Sequence, residues 1–286
     1  MSQFVIALYS PKPRSGKSTF VRILGEALFE GTEGAPSLET LKISGGIKQM
    51  TAAALREALP DGAPIDDYID GAMKEIPEPA LGRVPLDRLV KGMVSAALDW
   101  AGVVEQAVRP DEPVPAGHPF AGHTPRAMGE ALVTALEEGL RKVTGETDLV
   151  APKDRGACWP DLGRASSRLL QQVLGREWKQ RFSQRLWSQS TAEMALACTA
   201  DIAIVDDMRY PADYEDMAAI GAILVRLNRP DAEDVNSHPS EGLLEDRAFH
   251  LRLENDGSLE DFEETVRREQ ASLLHGLRRE PAPDCA

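Results

Sequence analysis

The sequence predicts an α/β fold: a mostly parallel sheet flanked by helices, with further helical segments inserted into it. Three observations predict it. Short apolar runs, among them 4–8, 201–207 and 222–227, alternate along the chain with amphipathic stretches of helical period. The first apolar run leads through a Ser/Pro/Gly-rich loop straight into a helical pattern, a strand–loop–helix order. The chain has 286 residues, 42% of them hydrophobic, which suffices for one large domain carrying an inserted lobe.

Taken in order, Phe4–Leu8 is an apolar strand, and Phe20, Ile23, Leu24 and Leu28 form one face of the helix after the loop. A loop at 31–36 leads to a second strand at 38–44 and a Gly45-Gly46 turn. A helix follows over 47–59, ended by Pro60-Asp-Gly62. Residues 60–85 are rich in Pro, Gly and Asp and read as loop. A helix is expected over 86–107, with Leu89, Met93, Ala97 and Trp100 on one face. The proline-rich 109–119 stretch reads as loop, 125–143 as helix, and 145–161 as loop again. Two helices are expected at 163–175 and 176–187, then a strand over 201–207, a helix over 212–220 and strands at 222–227 and 249–253. A loop over 236–242 lies between those last two strands, a helix over 259–276 closes the fold, and residues from 280 form a tail. No internal repeat is evident. The expected organisation is a single domain, 1–286, with an inserted helical lobe at 80–160 and arginine-rich, lid-like helices at 161–190.

Charge and composition narrow the function. Lys plus Arg number 32 against 46 Asp plus Glu, a net charge of −14, which disfavours broad binding to nucleic acid or anionic membranes. No run of about 18 apolar residues is present, and the N-terminus has no signal-peptide pattern, so a cytoplasmic protein is expected. Cys158, Cys198 and Cys285 lack C-x-x-C spacing and read as reduced thiols. His118 and His123 lack further metal ligands and read as surface histidines.

The chemistry concentrates in Tyr9-Ser-Pro-Lys-Pro-Arg-Ser-Gly-Lys-Ser-Thr19, which carries the Gly-Lys-Ser core of a phosphate-binding loop. Pro11 stands where the first glycine of G-x-x-x-x-G-K-[ST] belongs. Backbone N–H groups from Arg14, Ser15, Gly16, Lys17 and Ser18, with Thr19 at the end of the motif, are expected to bind ATP phosphates at the positive end of the helix. Lys17 would reach the β and γ phosphates and Ser18 would bind Mg²⁺. Asp201-Ile-Ala-Ile-Val-Asp-Asp207 has the form of a Walker B strand, and Asp207 is its expected metal carboxylate. Arg164, Arg168, Arg176, Lys179, Arg181 and Arg185 make a dense basic segment in an acidic chain, suited to neutralising phosphoryl oxygens. Lys48, which the dipole of its helix disfavours, is a candidate for a substrate phosphate.

Several segments together resemble the phage-type deoxynucleoside monophosphate kinases of the P-loop superfamily. They are the 10–18 loop, Ser44-Gly-Gly-Ile-Lys48, the Arg168/Gln172/Gly175 set, Val205-Asp-Asp-Met-Arg209 with Asp213, Ser237-His-Pro-Ser-Glu241 and Asn255-Asp-Gly-Ser-Leu259. Asp213 stands where that family usually has glutamate, and 80–160 has no counterpart segment. The resemblance implies transfer of the ATP γ-phosphoryl group to a deoxynucleoside monophosphate, with Mg²⁺. Lys17, Arg168, Arg209 and Asp207 would be catalytic, and Lys48, Arg164, Gln172, Trp178 and Arg181 would contact the acceptor, Trp178 by stacking on its base. The partners expected are nucleotides, with no membrane and with a homodimer left open. Two other readings stay open: a related kinase of a hydroxymethylated base in phage DNA, with Asp206 as base and DNA as partner, and a non-catalytic nucleotide-binding regulator.

Overall fold

The computed structural model describes residues 4–12, 14–29, 36–100, 102, 109–116, 118–230 and 242–276. The expected loops at 31–36 and 236–242 fall almost wholly outside these residues, as do the end of the 86–107 helix, the Ser237–Glu241 segment and the tail. The chain forms two compact units, one made of 1–43 and 188–286, the other of 44–187.

The first unit is a five-stranded parallel sheet in the order β2-β3-β1-β4-β5. Its strands are β1 (Phe4–Tyr9), β2 (Leu38–Leu41), β3 (Ile202–Met208), β4 (Ile223–Asn228) and β5 (Leu251–Glu254). Register follows the period-two pattern of side chains. Ile6 and Leu8 of β1, Ile202 and Ile204 of β3, Ile223, Val225 and Leu227 of β4, and Leu253 of β5 all enter one apolar core. Helices α1 (Lys17–Phe29) and α9 (Leu259–Gly276) complete it through Phe20, Ile23, Leu24, Phe262 and Val266. On the other face, Tyr9 stacks on Phe249 at 5.6 Å, and Phe249 meets Tyr214 of α8 (Pro211–Ala219) edge-on. The sheet is thus covered on both faces, as an all-parallel sheet requires. Helix α7 (Leu186–Ala197), not expected from the sequence, docks near α8, where Ser188 donates to Asp216 at 2.6 Å.

The second unit is helical: α2 (Gly45–Ala58), α3 (Ile65–Ile69), α4 (Leu86–Trp100), α5 (Pro125–Thr144) and α6 (Ser167–Val173), with 3-10 turns at Pro79–Arg83 and Pro160–Arg164. Both the 80–160 segment and most of 161–190 lie in it. Gly45 and Gly46 are not a turn but the first residues of α2. A Cβ on Gly45 would sit 2.1 Å from the Trp100 ring, and one on Gly46 2.4 Å from Trp187, so ring packing demands glycine there. The two helices expected at 163–175 and 176–187 are instead a short α6 capped by Ser166, a π turn at Leu174–Trp178 and a 3-10 turn at Lys179–Arg181.

This unit contains an internal repeat that sequence reading overlooked. Pro79-Ala-Leu-Gly-Arg83 and Pro160-Asp-Leu-Gly-Arg164 are both 3-10 turns followed by a helix, and 81 residues separate the copies. The same offset carries Ala54-Leu55 and Glu57 of α2 onto Ala135-Leu136 and Glu138 of α5. The copies pack reciprocally. Pro77 bridges Ser166 and Pro85 bridges Cys158, antiparallel pairs that exchange under the offset. Gly82 and Gly163 each lie against the other copy's proline: a Cβ on Gly82 would be 2.6 Å from the Pro160 oxygen, and one on Gly163 3.0 Å from the Pro79 oxygen.

Candidate functional site

The loop between β1 and α1 is shaped by two residues with positive φ, Arg14 at 56° and Gly16 at 97°. Successive N–H groups in such alternating conformations form an anion-binding concavity. Ser10 Oγ donates to the Lys12 carbonyl at 2.9 Å and fixes the loop's entry. The Phe20 N–H donates to the Gly16 carbonyl at 2.8 Å, the first turn of α1. The Ser15 hydroxyl is buried without a hydrogen-bond partner among the described residues. Ser18, in the first turn of α1, is exposed, and Thr19 is half-buried. In an open α/β sheet, ligands sit outside the carboxyl ends of the strands, where this loop lies beside the end of β3.

Charge gathers at the same end. Burial lowers the Lys17 pKa from its ordinary 10.5, and Arg209 lowers it further, while Asp206 and Asp207 oppose the shift. Arg209 is exposed in the turn after β3, which Asp213 fixes by accepting from the Arg209 and Tyr210 N–H groups at 2.9 and 2.8 Å. The two β3 carboxylates differ. Asp207 Oδ1 accepts the Ile43 N–H at 2.6 Å. Asp206 pairs through Oδ2 with Lys42 at 3.5 Å. Its Oδ1 is buried with no hydrogen-bond partner among the described residues. Burial foremost, then Asp207, raises the Asp206 pKa above 3.8. A hard anionic oxygen left without a proton donor suits a small divalent cation, so the residues present fit Mg²⁺. Asp207 is the expected metal carboxylate; Asp206, beside it, carries the unpartnered oxygen.

Within the second unit, Lys48 Nζ lies 2.6 Å from Asp70 Oδ2 and Lys74 Nζ 3.5 Å from Asp70 Oδ1. Burial and then Arg168 lower the Lys74 pKa. Arg168 Nε donates to Glu75 at 2.8 Å, and its backbone N–H donates to the Lys74 carbonyl at 2.9 Å. Lys48, Lys74 and Arg168 thus converge around two carboxylates. Asp70 also offsets the cost of a lysine in the first turn of α2.

Other expected residues stand differently. Arg164 pairs with both oxygens of Glu146 at 2.9 Å, and Arg181 with Glu138 at 2.5 Å, so each has its own counter-ion. Gln172 is exposed on α6, one turn beyond Arg168. Trp178, expected to stack on a base, is fully buried. Its ring packs against Phe120, Phe182 and Trp187, and its N–H donates to the Met128 carbonyl at 3.2 Å. It offers no face to a ligand here: the π turn directs it into the core, where its large apolar area outweighs a surface role. Sequence reading missed Lys74, Asp70, Lys42, Arg229 and Asn255. The Asn255-Asp-Gly segment was a signal for the last, but without a role attached.

No helix among the described residues is long and apolar enough to cross a membrane. No curated protein matches the chain. Residues 160–266, which carry α6 to the first part of α9, match a family model described as deoxynucleotide monophosphate kinase.

Proposed function

We propose that the protein transfers the γ-phosphoryl group of ATP to the phosphate of a deoxynucleoside monophosphate, giving ADP and the deoxynucleoside diphosphate. The observation that carries this reading is the 10–18 loop, turned by Arg14 and Gly16, with half-buried Lys17 coupled to the Asp206–Asp207 pair at the strand end. The family signature supports the acceptor class. The loop N–H groups of Arg14 to Ser18 would hold the triphosphate, and Lys17 would lie against its β and γ phosphates. Ser18 and Asp206, with Asp207 beside it, would hold Mg²⁺, which when bound neutralises charge on the phosphoryl oxygens.

An oxygen of the acceptor phosphate forms the new bond to phosphorus as the bond to the β–γ bridging oxygen breaks. The acceptor is already ionised at neutral pH, so no general base is needed. Alignment and charge neutralisation then carry the rate. Lys48, Lys74 and Arg168 are the proposed holders of the acceptor phosphate, with Gln172 nearby for base or sugar. Arg209 would stabilise the transferring group, and Arg164 and Arg181 would join only by exchanging their carboxylate partners. The 80–160 and 161–190 segments are the proposed substrate-binding and lid-like parts.

The test is an ATP-consumption screen over the four deoxynucleoside monophosphates, modified ones and duplex DNA bearing hydroxymethylated bases. Turnover with at least one free monophosphate is expected. Lys17→Ala should lower it by about 10²–10³-fold, the loss typical of removing one preorganised charge-stabilising group. Activity on modified DNA alone would transfer the assignment to a base kinase. Binding of ATP without turnover on any acceptor would favour a regulator.

A further inference from the structure

The ends of β4 and β5 reach the phosphate loop. Asn255 Nδ2 donates to the Ser15 carbonyl at 3.0 Å, and Arg229 Nη1 donates to the Arg14 carbonyl at 3.2 Å. These are successive peptide groups. A trans peptide is planar, with its C=O and N–H pointing opposite ways. Holding the Ser15 carbonyl outward therefore turns the Gly16 N–H inward, and holding the Arg14 carbonyl outward does the same for the Ser15 N–H. Without these donors, either peptide could rotate and set a carbonyl lone pair against a bound phosphate. We propose that Asn255 and Arg229 are positioning residues of the phosphate loop, fixing the two peptides whose N–H groups grip the triphosphate; this rests on the nucleotide reading above.

Three further observations support it. The braces are themselves mounted rigidly: the Asn255 N–H donates to the Asn228 carbonyl at 2.8 Å, and Asn228 Nδ2 donates to Glu254 at 2.7 Å. Lys12 Nζ donates to the Pro230 carbonyl at 3.1 Å, a third link between loop and β4 end. Gly16 is approached so closely that a Cβ there would lie 2.6 Å from Asn255 Nδ2. The bracing also explains how the loop tolerates Pro11 in place of its first glycine. Proline fixes its own φ and supplies no N–H, so the loop's shape comes from its ends and from outside donors. The side chain at 255 must donate: a carboxylate could only accept and would add negative charge beside the phosphates.

The test is calorimetric titration of the full chain with MgATP and with tripolyphosphate, a probe lacking base and sugar. Wild type is compared with Asn255→Leu, Asn255→Asp, Arg229→Met and Arg229→Lys. One hydrogen bond to a charge-binding loop corresponds to roughly tenfold in affinity. Asn255→Leu and Arg229→Met should each weaken both ligands by about that factor, Asn255→Asp by more, and Arg229→Lys little, because lysine keeps a donor. The KM for the monophosphate should stay within about twofold, which general loosening of the fold would not give. Wild-type affinity in Asn255→Leu and Arg229→Met overturns the proposal, as does a loss confined to MgATP, which would make these residues base or sugar contacts. Failure of the wild type to bind either probe overturns the nucleotide reading instead. Arg229 is exposed, so its pair of variants carries the test even where Asn255→Leu does not fold.

Discussion

Asp206 shows how one residue of the proposed site can work against the fold. The residue is 7% exposed and next to Asp207 in sequence, with one oxygen unpartnered among the described residues and the 3.5 Å pairing to Lys42 on the other. Its raised pKa means that the folded state holds a proton which the unfolded state releases. Between the ordinary value and the raised one, stability falls as pH rises, and the deficit persists at neutral pH. Asp206→Asn should therefore raise the melting temperature of the ligand-free protein at pH 7 by about 2–4 °C, the shift ~1 kcal/mol produces in a domain of this size. On acidification through the raised pKa, wild type becomes neutral at this position too, and the gap between the two melting curves should close. The same variant should need more Mg²⁺ for half-maximal activity than Asp207→Asn, whose wild-type carboxylate already accepts the Ile43 N–H. An unchanged or lower melting temperature at pH 7 would mean that Lys42 already compensates the charge.

At the scale of elements, the reciprocal 3-10 turns are a backbone-on-backbone contact with little room to give. A Cβ at Gly82 meets the Pro160 oxygen at 2.6 Å and the Gly163 nitrogen at 2.9 Å, both backbone atoms that cannot rotate away. Gly82→Ala should destabilise by about 1–3 kcal/mol, as overpacking typically does. Gly163→Ala, with its nearest contact at 3.0 Å, should cost less; chemical denaturation of both variants tests the order. These turns also mark where sequence reading stops. The strands β1, β3 and β4 and helices α1 and α9 were legible because each is a continuous apolar run or a strongly periodic one. The five-residue α3 and the turns at 79–83 and 160–164 were not, because so short a span carries no period and their Pro and Gly read as loop. The repeat was hidden for the same reason: it preserves buried positions and backbone geometry while most residues differ. In the site, Lys17 and Ser18 were legible from a local motif. Asn255 and Arg229 meet the loop across 240 and 215 residues, a proximity that arises only when β4 takes its place beside β1 and β5 beside β4.

Across the whole molecule the net charge of −14 bears on which acceptor the protein can approach. A protein that neutralises several duplex phosphates releases counter-ions, and its affinity then falls steeply with salt. Three of the six cations in the 164–185 basic segment, which could have served as such a surface, are committed to carboxylates. Arg164, Arg168 and Arg181 each bind a carboxylate, and Lys48 and Lys74 share Asp70. Such pairs suit a single phosphate monoester, which can displace one carboxylate and take two or three donors at once. A duplex would have to break many pairs together, against the long-range repulsion of an acidic chain. We therefore expect KM for the monophosphate to rise only modestly between about 50 and 200 mM salt, and duplex DNA to bind weakly throughout that range. Arg168→Ala should raise that KM or lower kcat while leaving MgATP affinity unchanged, because no loop carbonyl depends on it. A steep salt dependence, with tight duplex binding lost in Arg168→Ala, would instead make the helical unit a nucleic-acid surface and the free nucleotide a secondary substrate.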